Sequence, residues 1–311
     1  MRLRVNPVLD RELKERVRGR RAVIVLTIYL ALLSLLVYAI YWGETRSQTQ
    51  NQPFGNPAVL SSAHTGRLVF DWLVLATLLL TCFIVPGLTA AGVAGERDRQ
   101  TLVPLQVTLL RPLSIVIGKL LAALSYLLLL LLATMPLMAV ALLLGGVTIG
   151  MIVKAVFMIA VTGVVLGSLS LACSALFRRV QSATVAAYAL TLGLLVGTAL
   201  SYGAIRTFIQ RNNPGEEVSL APSRLPLLAN PVIGVAVAVV PRGVSVGGSP
   251  LASLSRSARG DGDRFDNAGN LTDVGNGLTT LAKVIAVDVA FVAAGLLLAS
   301  SRLRTPRMVD R

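Results

Sequence analysis

Six stretches of this sequence are each about as long as a helix must be to cross a lipid bilayer: roughly 22–42, 72–94, 120–147, 155–177, 183–205 and 284–301. About 20 apolar residues cover a hydrocarbon core of about 30 Å. Lipid offers a backbone no hydrogen-bond partner but itself, so each stretch is expected to be a helix. Composition points the same way. The 311 residues are 54% hydrophobic and 14% charged, whereas soluble domains carry about 25% charged residues. The expected fold is an all-α integral membrane protein with six transmembrane helices in a single domain, 1–311. A seventh apolar piece, "LPLLANPVIGVAVAVVP" at 225–241, has prolines at 226, 231 and 241. It is short and broken, and reads as an extracellular or re-entrant element.

Basic residues orient such a chain. With the N-terminus inside, the short inner pieces are 1–21, 95–119, 178–182 and 302–311, and they hold 18 of the 29 Lys and Arg residues. The short outer pieces, 43–71 and 148–154, hold three. That is the asymmetry expected of cytoplasmic loops, and it places both termini in the cytoplasm. The other eight lie in 206–283, a loop too long for the rule to bind strongly. The net charge of +14 is thereby assigned to orientation and to anionic headgroups. A nucleic-acid role is set aside because the basic residues flank membrane segments and form no single folded face.

Residues 1–21, "MRLRVNPVLDRELKERVRGRR", place Val5, Val8, Leu9, Leu13 and Val17 on one helical face. Asn6 is suited to cap that helix and Pro7 to its first turn. The segment reads either as an amphipathic interfacial helix or as a plain basic anchor. The apolar run after it is long for a signal sequence, and no small-residue cleavage site follows "YAIYW". Cys82 and Cys173 both fall within spans, which argues against a disulfide framework. The only histidine, His64, lies in an outer loop, and no spacing specifies a metal site.

Small residues recur four apart in several spans. Gly163 and Gly167 form one pair, Gly87, Ala91 and Gly95 another row, and Ala189, Gly193, Gly197 and Ser201 a longer stripe. Such rows bring helix backbones close, either within one bundle or at a dimer seam. Pro86 and Pro136 are expected to bend their spans. Asp288 is the one carboxylate well inside a span, a possible intramembrane polar site. Lying about one turn from the outer end, it is alternatively hydrated or paired with Lys283. Asp71 and Arg206 are expected at the interface. Residues 209–279 read as a polar, mobile extracytoplasmic loop. "DGDRFDNAGNLTD" within it fails the calcium-loop pattern at Phe265 and has no glycine at the sixth position.

Between the second and third spans, "GERDRQTLVPLQVTLLRPLSIVIGK" runs from 95 to 119 and sets four charges, Glu96 to Arg99, side by side. At about 2.5–3.5 kcal/mol each for insertion, these fix the exit of the second span from the membrane. Leu102, Leu105, Leu109 and Leu110 then alternate with Gln100, Thr101, Gln106 and Thr108. This predicts a short helix at the membrane edge, ended by Pro112. "PLS" starts the next helix, and Lys119 is expected to reach the headgroups.

This stretch resembles the first cytoplasmic loop of type-2 ABC transporter permeases. The matching positions are Glu96, Arg97, Thr101, Leu102, Pro112, Leu113, Ser114, Gly118 and Lys119. The opening "NPVLDRELKERVRGRR" is similar to that of many such permeases, including the group associated with copper-enzyme maturation. Gln100 stands where the family commonly has glycine, so a more regular helical entry is expected here.

The resemblance implies a permease subunit of an ATP-driven exporter in the bacterial plasma membrane, pairing with a second permease copy or paralogue. It further implies that the loop is a helix seated in a groove of a separate cytoplasmic ATPase, with Glu96, Arg97, Thr101, Leu102, Leu105, Pro112 and Leu113 as coupling residues. By the same resemblance the first and fifth spans form the permease seam. ATP and magnesium belong to the partner, with no cofactor on this chain. The residues agree on one point: "PLSIVIGKL" is no phosphate loop, because Leu113 and Leu120 stand where Gly and Ser/Thr are needed. The other readings are an ion-driven secondary transporter, a membrane-embedded enzyme and a non-transporting scaffold. The first lacks visible repeats and paired intramembrane charges, and the second lacks convergent polar residues within spans.

Overall fold

The computed structural model describes residues 20–51, 58–98, 100, 112–212, 221–240, 248–259 and 277–302, all of them helix or connecting turn. The amphipathic start at 1–21, save for the Arg20 and Arg21 backbone, and the short helix expected at 100–110, save for Gln100, lie outside the described residues. Among the described residues, six helices are long and apolar enough to cross a membrane. The first is Arg20–Asn51 and the second Ala58–Thr89, continued by a short helix, Ala91–Asp98. The third is Pro112–Leu144 and the fourth Ile149–Leu176. The fifth is built of Val180–Leu192, a wide π turn at Gly193–Gly197 and Thr198–Asn212. The sixth is Gly277–Arg302.

Each of these helices begins before the apolar stretch that announces it. The third begins at Pro112, eight residues before its apolar run, because proline at a first helical position gives up only an amide that would have no partner anyway. It ends at Gly145 and Gly146, whose φ of +90° and +75° favour glycine. A side chain at Gly146 would run into the carbonyl of Ala63.

The fourth span is the hub of the bundle, touching the second, third, fifth and sixth spans. Its glycines permit this. A Cβ on Gly163 would collide with Leu127 Cδ2, and one on Gly167 would lie 2.8 Å from Leu120 Cδ1, both on the third span. On the sixth span a Cβ at Gly295 would lie 2.8 Å from the Ser168 backbone carbon. These small residues therefore pack the bundle internally. Phe70, Leu73, Leu78, Leu131, Met138, Ile159 and Leu166 fill the core between the second, third and fourth spans.

Residues 209–279 are not uniformly the polar, mobile loop expected from their composition. Among the described residues they hold a 3₁₀ helix at Ala221–Ala229 and helices at Pro231–Val239 and Pro250–Arg259. Ile233, Val235, Ala236, Val237 and Val239 are buried against the bundle. The chain turns at Asn230, whose side chain accepts from Val232 N at 2.9 Å while Pro231 opens the next helix. Asn230 Nδ2 also donates to Leu195 O at 2.9 Å and to Thr198 Oγ1 at 2.8 Å. Leu195 lies in the π turn, where the wider ring disturbs the regular helical ladder.

Asp71, expected at the interface, is enclosed by its own chain. It is 0% exposed, held by Arg67 Nε at 3.2 Å one turn earlier and by a short hydrogen bond from Ser249 Oγ. Arg67 Nη1 also reaches Met151 Sδ at 2.8 Å, and its guanidinium lies 5.7 Å from the Phe70 ring centroid. Ser249 Oγ accepts from Ala252 N at 3.1 Å, so the same hydroxyl starts the Pro250–Arg259 helix and fastens it to the second span.

Candidate functional site

The second span does not run unbroken into the charged segment. Pro86 has no amide to give the preceding turn, and on the fifth span Tyr188 donates its hydroxyl to Phe83 O at 2.9 Å. Gly87 makes room for that ring, since a Cβ there would lie 2.8 Å from the Tyr188 oxygen. The helix stops at Thr89, Ala90 turns, and Ala91–Asp98 forms a new helix. The first amides of a helix have no carbonyl within it to bond. Here Val93 N and Ala94 N both donate to Ser174 Oγ, each at 2.9 Å. A buried serine of the fourth span thus caps a helix belonging to the second.

The charges that follow each find a different span. Glu96 Oε1 lies 2.6 Å from Lys119 Nζ on the third span. Arg97 Nη1 donates to Phe177 O, just past the end of the fourth span, at 3.1 Å. Asp98 Oδ2 accepts from Val180 N, the first residue of the fifth span, at 3.3 Å. A cation at a helix C-terminus and an anion at a helix N-terminus both complement the helix dipole. Lys119 is 3% exposed, so it does not reach the headgroups. A buried ammonium is strongly disfavoured without a partner, and Glu96 supplies one.

Gln100 departs from the regular helical entry expected of it. Its φ is +56°, the left-handed region, and its amide donates to Arg97 O at 3.1 Å. The backbone keeps the turn that glycine would make with less strain. The third span begins at Pro112, with Leu113 exposed beside it. Thr101, Leu102 and Leu105 lie outside the described residues.

The other residues singled out in the sequence stand apart from this cluster. Gly193 and Gly197 are exposed, and a Cβ on either would meet nothing within 4 Å among the described residues. Ala189 is also exposed, and Ser201 Oγ donates to Gly197 O at 2.7 Å. Asp288 is half-buried in the sixth span and, among the described residues, makes no ion pair with Lys283. Both cysteines are free and buried. No three His, Cys, Asp or Glu side chains among the described residues group as metal ligands.

Sequence reasoning missed Ser174, Asp98 and the burial of Lys119. The signal for Lys119 was present, as a lysine just inside an apolar helix that shares its stretch with Glu96. Ser174 gave none, being one serine among three in "SLSLACSAL".

A family model described as ABC-2 family transporter protein matches residues 7–247. No curated protein matches the chain.

Proposed function

The chain belongs to the ABC-2 transporter family, and on that premise we propose that it forms the membrane path of an ATP-driven exporter and is moved by a separate ATPase subunit. It is a multi-pass membrane permease of a family whose members lack catalytic activity and work with separate ABC ATPases. The segment from Glu96 to Leu113 receives the ATPase, through the apolar side chains of Leu102 and Leu105. The observation that carries it is the charged cluster. Glu96, Arg97 and Asp98 tie the root of that segment to three further spans, so force applied there has somewhere to go.

In this reading the cluster and both termini face the cytoplasm of a bacterial plasma membrane, which the distribution of Lys and Arg supports. Two permease subunits pair along the first and fifth spans. In support, a Cβ on Gly193 or Gly197 meets nothing within 4 Å among the described residues, whereas one on Gly163 or Gly167 meets the third span.

The experiment is co-purification. A tagged chain extracted in mild detergent is expected to bring an ABC ATPase with it. Leu105→Asp is expected to insert normally and to lose that subunit. Retention of the ATPase by Leu105→Asp, or ATP hydrolysis in the complex that ignores the variant, refutes the docking reading.

A further inference from the structure

The second span and its continuation are held together in an unusual way. Thr89 and Ala90 are both buried, yet the helix is interrupted between them and Ala91. The residues around the interruption, Pro86, Gly87, Ala90, Ala91, Gly92 and Gly95, are small or helix-disfavouring. Two amides of the new helix are satisfied by the Ser174 hydroxyl on the fourth span. Ser174 is itself 0% exposed and sits on the hub of the bundle. The start of the short helix is therefore fixed on a neighbouring span by that hydroxyl, while Glu96 and Arg97 further along bond to Lys119 and to Phe177 O. Its far end carries the bond from Val180 N to Asp98, which opens the fifth span.

We propose that the break at Ala90 is a hinge and that Ser174 is its positioning residue, so that Ala91–Asp98 turns as a lever about the Ser174 hydroxyl. Movement of the segment after Asp98 is then delivered sideways through Glu96, Arg97 and Asp98 to the neighbouring spans, the start of the fifth among them, instead of along the second. A continuous helix would make the second span move as one rod. The interruption separates the two, and the borrowed cap keeps the separated piece in register. Tyr188, bonded to the backbone just above Pro86, joins the fifth span to the stationary side of the hinge. The fifth span thus contacts both sides of the pivot. This inference rests on the coupling reading above.

The test uses the full-length chain in lipid nanodiscs and has two arms. The first measures amide hydrogen exchange over 91–98. Ser174→Ala is expected to speed exchange at Val93 and Ala94 about fivefold or more, in keeping with the loss of ordinary hydrogen bonds. Ser174→Thr, which keeps the hydroxyl, is expected to stay near wild type. Should the alanine variant not accumulate, Ser174→Cys, similar in size but a weak acceptor, replaces it. The second arm adds the co-purified ATPase and measures the distance between spin labels at Leu79 and Gln181, both exposed. The background for this arm carries Cys82→Ala and Cys173→Ala. Trapping with ATP and vanadate is expected to shift this distance in wild type and in Ser174→Thr. In Ser174→Ala the shift is expected to fall by at least half.

Unchanged exchange at Val93 and Ala94 in Ser174→Ala overturns the pivot, as does a full vanadate shift in that variant. A wild-type pair that ignores nucleotide refutes the coupling reading instead, while the exchange arm still decides whether Ser174 holds the break.

Discussion

Lys119 Nζ and Glu96 Oε1 meet at 2.6 Å across 23 residues of sequence, an interval that contains the connection between the helix ending at Asp98 and the third span beginning at Pro112. The pair closes the loop at its neck. Whatever the intervening segment touches, it is presented on a base that two buried or half-buried charges hold shut.

Removing one partner tests that base. Truncating half of a buried ion pair costs about 3–5 kcal/mol, and Glu96, with its side chain 22% exposed, belongs nearer the lower end. Glu96→Ala is expected to lower the thermal unfolding midpoint in detergent clearly. The swapped pair Glu96→Lys with Lys119→Glu is expected to recover part of that loss. No recovery would mean that the two residues act separately.

At the other end of the bundle, Asp71 is expected to be the more sensitive site. Asp71→Ala leaves Arg67 buried without its carboxylate, at a cost of about 3–5 kcal/mol. Ser249→Ala loses one hydrogen bond to a charged group and is expected to cost about 1.5–3 kcal/mol. Limited trypsin digestion reads the consequence directly. Cleavage at Arg256 and Arg259 should quicken in both variants, because the Pro250–Arg259 helix has lost its fastening to the second span.

Gln100 offers a change in the opposite direction. A left-handed conformation costs a non-glycine residue about 1–2 kcal/mol, and glycine gives back about 0.5–1 kcal/mol through its greater freedom when unfolded. Gln100→Gly is therefore expected to stabilise the protein by on the order of 0.5 kcal/mol. A lower unfolding midpoint in that variant would show that the Gln100 side chain contributes more than its backbone strain.

The glycines divide into two groups with separable effects. Gly295→Val forces a side chain against the Ser168 backbone and is expected to cost about 1–3 kcal/mol, as overpacking does. At Gly197 an added Cβ meets nothing within 4 Å among the described residues, and Gly197→Leu is expected to leave unfolding unchanged. If the fifth span lies at a permease seam, the same variant should reduce cross-linked dimer in membranes. Equal destabilisation by both substitutions would place Gly197 in the interior of its own bundle.

The apolar stretches by themselves announced the six helices that, among the described residues, are long and apolar enough to cross a membrane, because lipid leaves a backbone only one way to satisfy its amides and carbonyls. The local pattern also marked the loop from Glu96 to Lys119 as unlike a simple turn, through charge set beside a periodic apolar face. Tertiary structure decided what those charges are for. Lys119 reads as a headgroup-seeking lysine until Glu96 is found beside it, and Asp71 gives no sign of its partner until Ser249, 178 residues away in sequence, is found against it. The same holds for Ser174, whose hydroxyl is ordinary in sequence and becomes the cap of another helix only when the fourth span passes the break at Ala90. The physical reason is common to all three. Helix formation in lipid is a local requirement written in consecutive residues, whereas the partner of a buried polar group is chosen by whichever distant span packs against it.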